Sequence, residues 1–530
     1  MEAVLPKSVD YLDVLPKSVP SERKRRKYYP ANGTQYELGQ TIIIEVSDSR
    51  HFLDVTNSYL QMTVTNNTGV NVGLDYGGAS VLIKNLKVQQ AGNTIMNIQE
   101  YNRLVCGILA PATNGHKMSA QRSLSDNHGY GTSRTNAFPA RGGNNNLEEP
   151  ANQVMGQQFG GCCSNSLAQF TNGVTQILTA PLFGGLFSQD KLLPLPLLRE
   201  PLQIIMDLEA VVENLGVFSG DPAAGAGFRV SNVTYTAELI DVPRDVLGYL
   251  RSVQEMNGGS LLVQAQSFAH NNGVLPGPAN GEYAINIPVR RKSIKSVLFV
   301  GQGDVADTVN GFSDPANAVA TGPFSVYNLS QSANFLMSGY QIKAGSLVLP
   351  PQKVLSPGGR GLVGGAATNV ALPDAQFNRG ECLFEVNKAM GHLGTAIGSG
   401  ILNTLTYGSL REGHKIVNAA GNAEMASSPC FGADFTVDVV GGADAGNVRI
   451  RNVGASDPME FTPFALDLEA FQNEAVNSGI DTESLGLDMT MILDIDNGTG
   501  AQTSNVNLDF FTWHDIIYYF NSDGSITYSQ

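Results

Sequence analysis

From Tyr36 onward the chain alternates apolar and polar residues with a period of two. Ile42, Ile44 and Val46 are separated by Ile43 and Glu45, and Leu60, Met62 and Val64 by Gln61 and Thr63. Leu202, Ile204, Met206 and Leu208 repeat the pattern, as do Ile285/Ile287/Val289, Phe435/Val437/Val439, Met489/Met491/Leu493/Ile495 and Val506/Leu508/Phe510. One apolar and one polar face per segment is the pattern of half-buried antiparallel strands. Turn clusters separate them, such as Asn66-Asn67-Thr68-Gly69, and Asp523-Gly524 between Ile516–Phe520 and Ile526–Tyr528 predicts a terminal hairpin. Composition agrees: 58 Gly and 25 Pro supply turns, and the 15% of charged residues falls below the usual quarter or so while 42% are hydrophobic. A chain of this kind has enough apolar surface for a core and is not disordered.

Helix signals are few: Leu466–Val476 and Cys382–Leu393, with Gly479 and Gly394 placed to stop them. Phe228–Val242 reads as a strand pair closed by Pro243. Gly-, Asn- and Ala-rich stretches at 109–160, 210–227, 302–323 and 355–380 exceed ordinary connection lengths and are predicted as extended loops. The strands fall into two groups, giving three regions: an extended basic N-terminal arm over 1–35, a first β-sandwich over 36–255 and a second over 256–530.

Charge is unevenly distributed. The first thirty residues hold seven cations and four carboxylates, so they carry +3, and from a total of −15 the remainder carries −18. An acidic body is a poor general binder of nucleic acid; the basic run Arg23, Lys24, Arg25, Arg26 and Lys27 is either a solvated cluster or a contact with nucleic acid or an acidic neighbour. Before it, Val4-Leu5-Pro6-Lys7-Ser8-Val9 recurs as Val14-Leu15-Pro16-Lys17-Ser18-Val19. The period is too short for a solenoid unit; the repeat is an inconsequential duplication or a docking motif used twice. Met1 to Pro20 has no secretory h-region, and the five cysteines (Cys106, Cys162, Cys163, Cys382, Cys430) form no disulfide framework, so synthesis in a reducing compartment without secretion is expected.

Signatures of catalysis and cofactor binding are missing: no GxSxG elbow, HExxH or Walker A motif is present. Gly359-Arg360-Gly361-Leu362-Val363-Gly364 matches GxGxxG in letters but follows Ser356-Pro357 instead of a strand. Asp494-Ile495-Asp496-Asn497-Gly498 lacks the sixth-position glycine and twelfth-position carboxylate of a calcium loop, and reads as a turn after a strand. The seven histidines are scattered, His51 and His514 being read as surface or strand-end residues, and Cys106 as core packing. No catalytic residue, metal or cofactor is expected.

Several segments in order resemble the major capsid proteins of double jelly-roll DNA viruses, especially the polinton-like and virophage-like groups. Phe52-Leu53-Asp54-Val55-Thr56-Asn57-Ser58-Tyr59-Leu60 is similar to that family's FLDPxxSYL strand, with Val55 in place of its Pro. Ala79–Leu86, Gly92-Asn93-Thr94-Ile95 and Ile98-Gln99-Glu100-Tyr101-Asn102-Arg103-Leu104 resemble its next stretch; Pro181-Leu182, Gly185-Leu186-Phe187 and Lys191–Leu195 follow in the same order. In the second half, Ser338–Lys343 with Gly345 and Pro350-Pro351, then Leu466–Phe471 with Ser478–Thr482, and the ending Asp515–Tyr519, Asp523-Gly524 and Gln530 are again similar. The resemblance covers most of the chain but not the part before Tyr28.

That resemblance implies an all-β fold of two tandem eight-stranded jelly-roll β-sandwiches with long loops and a few short helices. It further implies a structural, non-enzymatic subunit that forms pseudo-hexagonal homotrimers tiling an icosahedral shell around double-stranded DNA. Its partners would be other copies of itself, penton and minor capsid proteins, and packaged DNA or an inner membrane through the arm. The arm lies outside the resemblance; on charge and position alone Arg23, Lys24, Arg25, Arg26 and Lys27 are the residues expected to make that interior contact, and from the repeat Val4, Leu5, Pro6, Val14, Leu15 and Pro16 are those expected to dock to neighbouring subunits. Its place would be the virion, after synthesis in host cytoplasm or nucleus. The competing reading is a carbohydrate-binding β-sandwich or β-rich hydrolase. It needs exposed aromatic platforms, and the single tryptophan, Trp513, lies in a predicted strand where packing explains it better.

Overall fold

The computed structural model describes residues 21–69, 72–74, 77–109, 169–170, 172–189, 191–218, 225, 227–277, 281–303, 329, 337–356, 381–391, 415–417, 424–426, 435–439, 448–452, 464–469, 479–484, 486, 488–495 and 505–530. The first sandwich has eight principal strands: β1 (Glu22–Tyr28), β2 (Thr41–Val46), β3 (Phe52–Asn66), β4 (Ile83–Gln90), β5 (Asn93–Ile98), β6 (Thr175–Ala180), β7 (Leu202–Leu208) and β8 (Phe228–Asp241). They pair antiparallel as two sheets, β1-β8-β3-β6 and β2-β7-β4-β5. A helix, α1 (Arg244–Met256), leads to the second sandwich. There β9 (Ser260–Leu275), β10 (Gly281–Ile287), β11 (Ile294–Gly303), β12 (Met337–Ala344) and β13 (Leu347–Leu355) are followed by helix α2 (Glu381–Gly391). Strands β14 (Phe464–Asp467), β15 (Met489–Ile495) and β16 (Val506–Asn521) complete the eight, and β17 (Ile526–Ser529) folds back on β16 as the terminal hairpin. The second sandwich's sheets are β9-β16-β11-β14 and β10-β15-β12-β13. Adding eight to every strand number of the first sandwich gives the order of the second. Each is the two-sheet Greek-key arrangement of a jelly roll.

The alternating segments fold as the pattern requires. In β7 the buried residues are Leu202, Ile204, Met206 and Leu208, and in β15 they are Met489, Met491, Leu493 and Ile495. Each such side chain contributes about 1.5–3 kcal/mol when fully removed from water.

Four local expectations change. The first roll begins at Glu22, inside the region read as an arm over 1–35, because the basic run is itself a strand. Phe228–Asp241 is one strand with two register shifts against β3, not a strand pair. Pro243 precedes α1, a helix the sequence reading missed although Val246, Leu247, Leu250 and Val253 have helical spacing. The helix predicted from Leu466 is preceded by strand: Phe464–Asp467 pairs with Ser296–Phe299 of β11, and 470–476 lie outside the described residues. The helix at Cys382 is found, as Glu381–Gly391.

Among the described residues two apolar clusters make the core. One fills the second roll and includes Val297, Phe299, Leu508 and Phe510. The other fills the first roll and continues across into the second through Phe268, Leu298, Val300, Phe511, Trp513 and Tyr518. Thus Phe510 points into its own sandwich while its neighbour Phe511 points at the first roll. This two-faced burial explains why Leu508–Phe520 is nearly continuous in apolar and aromatic residues instead of cleanly alternating.

Candidate functional site

The five cations expected on a free arm form β1, the edge strand of the first sheet. Arg23, Lys24, Arg25, Arg26 and Lys27 stand in register with Ile240, Leu239, Glu238, Ala237 and Thr236 of β8. Their charge is largely matched by the body. Arg23 Nη2 lies 3.3 Å from Asp54 Oδ2, Arg25 Nε donates to Glu238 Oε1 directly across the ladder, and Arg26 Nη1 lies 3.3 Å from Asp48 Oδ2. The Arg26 guanidinium also sits 5.0 Å from the centre of the Tyr28 ring, and Arg25 5.9 Å from that of Tyr59. The hydrogen bond to Glu238 raises the Arg25 pKa further. Glu238 and Asp54 are buried, whereas the arginines that reach them are exposed. Burial works against ionisation of Asp48, but the amides of His51 and Arg50 and the His51 ring outweigh it and hold its carboxyl below the ordinary range. Lys24 reaches only as far as Glu22, 3.5 Å away in its own strand, and Lys27 is exposed.

The FLDVTNSYL segment supplies part of this anchorage. Between the pairs Asp54–Glu238 and Tyr59–Thr236 it carries a bulge over Val55–Ser58. Asp54 organises that bulge: its carboxylate accepts from the Asn57 amide (3.2 Å) and Asn57 Nδ2 (2.7 Å), and its carbonyl accepts from Ser58 Oγ (2.5 Å). Ser58 Oγ then accepts from the Glu238 amide at 3.0 Å. The departure at Val55 falls within the bulge, where its side chain is buried.

A second constellation joins the rolls, built from residues that carried the sequence resemblance. Glu100, with φ +49°, turns the chain into Tyr101–Leu104. Tyr101 Oη accepts from the Phe183 amide at 3.0 Å, and Asn102 Nδ2 donates to Glu209 Oε2 at 2.8 Å. Arg103 is fully buried and crosses to the second roll. It donates through Nε to Asp509 Oδ2 (3.3 Å), through Nη2 to the Gly301 carbonyl (3.0 Å) and through Nη1 to the Leu329 carbonyl. His270 Nε2 is 2.9 Å from the other oxygen of Asp509. At the terminal hairpin, Gln90 donates to the Gly524 carbonyl (2.9 Å) and accepts from the Ile526 amide (2.7 Å). Gly184 and Gly185 have positive φ, and a Cβ on Gly185 would stand 2.3 Å from Met96 Sδ and 2.8 Å from Tyr518 Oη. Sequence reasoning placed these segments in order but not against each other, because partners such as Arg103 and Asp509 are far apart in the chain.

Among the described residues no three His, Cys, Asp or Glu side chains gather as metal ligands. His514 is buried within β16 and not at a strand end, and burial with the nearby Arg291 charge lowers its pKa to about 4. Cys106 is fully buried, as its apolar neighbours suggest. Asp494, in the segment read as a turn after a strand, pairs with Lys353, whose Nζ also reaches Glu282 at 2.7 Å. Trp513 is fully buried with its ring stacked 6.2 Å from that of Phe268. The docking residues Val4, Leu5, Pro6, Val14, Leu15 and Pro16 lie outside the described residues, as do the GxGxxG stretch, Cys162, Cys163 and Cys430.

No family model and no curated protein matches the sequence. Solved structures do match. The chain is similar to PBCV-1 VP54, the crystal structure fitted into a cryo-EM reconstruction of the virophage Sputnik, with a TM-score of 0.50, 9% identity and 98% of each chain covered. It is also similar to a chain of the Sputnik virophage solved by cryo-EM (TM-score 0.46, 12% identity, 100% and 93% covered). The mavirus major capsid protein is a further similar structure (TM-score 0.44, 11% identity, 100% and 96% covered). At these identities the likeness is one of fold, and the VP54 match spans both rolls.

Proposed function

We propose that this double jelly-roll chain, similar in fold to VP54 over 98% of its length, is a viral major capsid protein. The observation that carries the reading is one strand order built twice in one chain, with the two copies joined through a continuous core. Such a block presents two similar wedges to its neighbours, and three blocks make a closed ring of six. The subunit forms a pseudo-hexagonal homotrimer, and trimers tile an icosahedral shell around double-stranded DNA, with penton and minor capsid proteins at its special positions. Its role is structural and not catalytic, and its place is the virion.

In this reading the segment before β1 lies at the shell interior. The exposed cations Lys24 and Lys27 and the preceding residues then face packaged DNA, an inner membrane or a minor protein, while Val4, Leu5, Pro6, Val14, Leu15 and Pro16 dock to neighbouring subunits. The carbohydrate-binding reading loses support because Trp513 is buried and offers no sugar platform.

Size-exclusion chromatography with light scattering, followed by negative-stain imaging, tests the proposal. The expected result is a particle of three times 56.3 kDa with a hexagonal outline, or closed shells. A particle of another stoichiometry that never forms shells with the other proteins of the same virus would overturn it.

A further inference from the structure

Lys295 is the residue by which β11 departs from regular pairing with β16. Ile294 stands opposite His514 and Ser296 opposite Trp513, so Lys295 is the extra residue of a bulge, and a bulge re-aims its side chain. The Lys295 carbonyl accepts from the Leu468 amide at 2.8 Å, which lays the chain beyond β14 alongside it. Lys295 Nζ lies 3.1 Å from Glu469 Oε1, 3.5 Å from Asp515 Oδ1 and 5.9 Å from the centre of the Trp513 ring. The Lys295, Glu469 and Asp515 side chains are 5%, 0% and 8% exposed. Ser293, itself buried, fixes the Asp515 carboxyl: its hydroxyl donates to Oδ2 at 2.7 Å, and its carbonyl accepts from the Asp515 amide at 3.1 Å.

One buried cation between two buried carboxylates is a poor source of stability, because every ion has given up its water. The two carboxylates also stand differently. Glu469 is within the reach at which a base takes a proton. Asp515 Oδ1 is beyond ordinary hydrogen-bond distance of the same nitrogen, yet too close for another atom to lie between, and the other oxygen of that carboxyl is held by a hydroxyl donor. An amine, a base on one side and a carboxyl polarised on the other, held together where water is excluded, are the parts of an amide-forming site.

We propose that Lys295 and Asp515 condense to an amide cross-link, with Glu469 as the proton carrier. Glu469 carries a proton from the Lys295 ammonium to Asp515 Oδ1, leaving a free amine beside a neutral carboxyl. The amine attacks the carboxyl carbon and the C–N bond forms, with the Ser293 hydroxyl bonded to Oδ2 as that oxygen gains charge. Glu469 carries a second proton from nitrogen to Oδ1, the bond from carbon to Oδ1 breaks, and water leaves. Glu469 ends as the carboxylate it began as, nothing is oxidised or reduced, and no co-reactant is needed. The product replaces a buried ion pair with a neutral amide and closes a loop that contains β12 to β15, a restraint that acts on the unfolded chain. The reaction happens once in each chain, so it is a modification of the subunit and not turnover of a substrate, and it does not rest on the capsid reading.

Mass spectrometry on the whole purified chain, denatured before measurement, tests this. The wild type is expected to be lighter than Lys295→Arg by one water once the substitution is allowed for, since arginine keeps the cation but does not form the bond. Trypsin followed by chymotrypsin should release a branched peptide from the wild type, and fragment sequencing should place its link between Lys295 and Asp515. Glu469→Gln and Asp515→Ala should lose the branched peptide and, like Lys295→Arg, run behind the wild type on denaturing gels, where a closed loop shortens the chain. The wild-type peptide decides the matter even if a variant fails to fold. A wild type of full sequence mass that melts cooperatively would overturn the bond and leave an ion cluster. A link from Lys295 to Glu469 would overturn Asp515 as the acceptor, and a link formed as fully in Glu469→Gln would overturn the role given to Glu469.

Discussion

His514 is a histidine that the fold keeps neutral. Its Nδ1 faces the Thr512 carbonyl at 3.2 Å, and burial with the Arg291 charge lowers its pKa from 6.5 to about 4. The unfolded chain therefore binds this proton more readily between those values, so stability contributed by neutral His514 is complete above about pH 6.5 and lost as pH falls towards 4. The full loss is about 3 kcal/mol. Urea melts from pH 7 to 4 should show the gap between wild type and His514→Gln closing by that order as the medium becomes acidic; a gap independent of pH would mean that the histidine titrates alike in the folded and unfolded chain. Gly185 makes a steric counterpart. Alanine there meets both a positive φ and the Met96 and Tyr518 side chains, so Gly185→Ala should cost about 2–4 kcal/mol in the same melts. Neither residue's environment was legible in the sequence. His514 stood beside Asp515 and suggested a strand end, and the contacts of Gly185 come from another strand and from the second roll.

Strand β1 shows why some elements were legible and others hidden. Strands such as β7 were readable because one face is apolar and one polar. Glu22–Lys27 has charge on both faces, so no period was visible, and the carboxylates that anchor it are dispersed at Asp48, Asp54 and Glu238. Basic residues on an edge strand also discourage unwanted pairing with another sheet. The pairs are asymmetric, an exposed arginine against a buried carboxylate, and this decides the outcome of mutation. Arg25→Ala leaves Glu238 buried and unmatched, whereas Glu238→Gln removes the buried charge and leaves the arginine in water. Arg25→Ala should therefore lower the melting temperature more than Glu238→Gln, and hydrogen exchange of the Thr236–Leu239 amides should quicken more in the former. Equal effects would mean that the ladder, not the ion pair, holds the strand. The helices divide in the same way: α2 announced itself through its apolar spacing, while α1 was obscured by the strand reading that ran up to Pro243.

At the scale of the molecule, two β-sandwiches in tandem were readable from alternation and turn spacing, and the jelly-roll order from the resemblance. What the pattern did not contain was the relation between the rolls, because an outward-facing Phe511 and an inward-facing Phe510 look alike in a string of letters. The structure makes β9-β16-β11 a shared wall, and this has a consequence for independence. Phe268, Leu298, Val300, Phe511, Trp513 and Tyr518 are buried in the apolar cluster that the second roll shares with the first. At about 1.5–3 kcal/mol for each side chain kept from water, their exposure forfeits on the order of 10 kcal/mol, comparable with the whole stability of a typical domain. Arg103 adds to this from the other side, since without the second roll it loses Asp509 and the Gly301 carbonyl. The fragment 258–530 expressed alone should therefore aggregate, and co-expression with 1–257 should recover a soluble complex that survives size exclusion. If 258–530 instead proved monodisperse with a cooperative melt of its own, the seam would be a contact between two self-sufficient domains, and the shared wall would have to be abandoned.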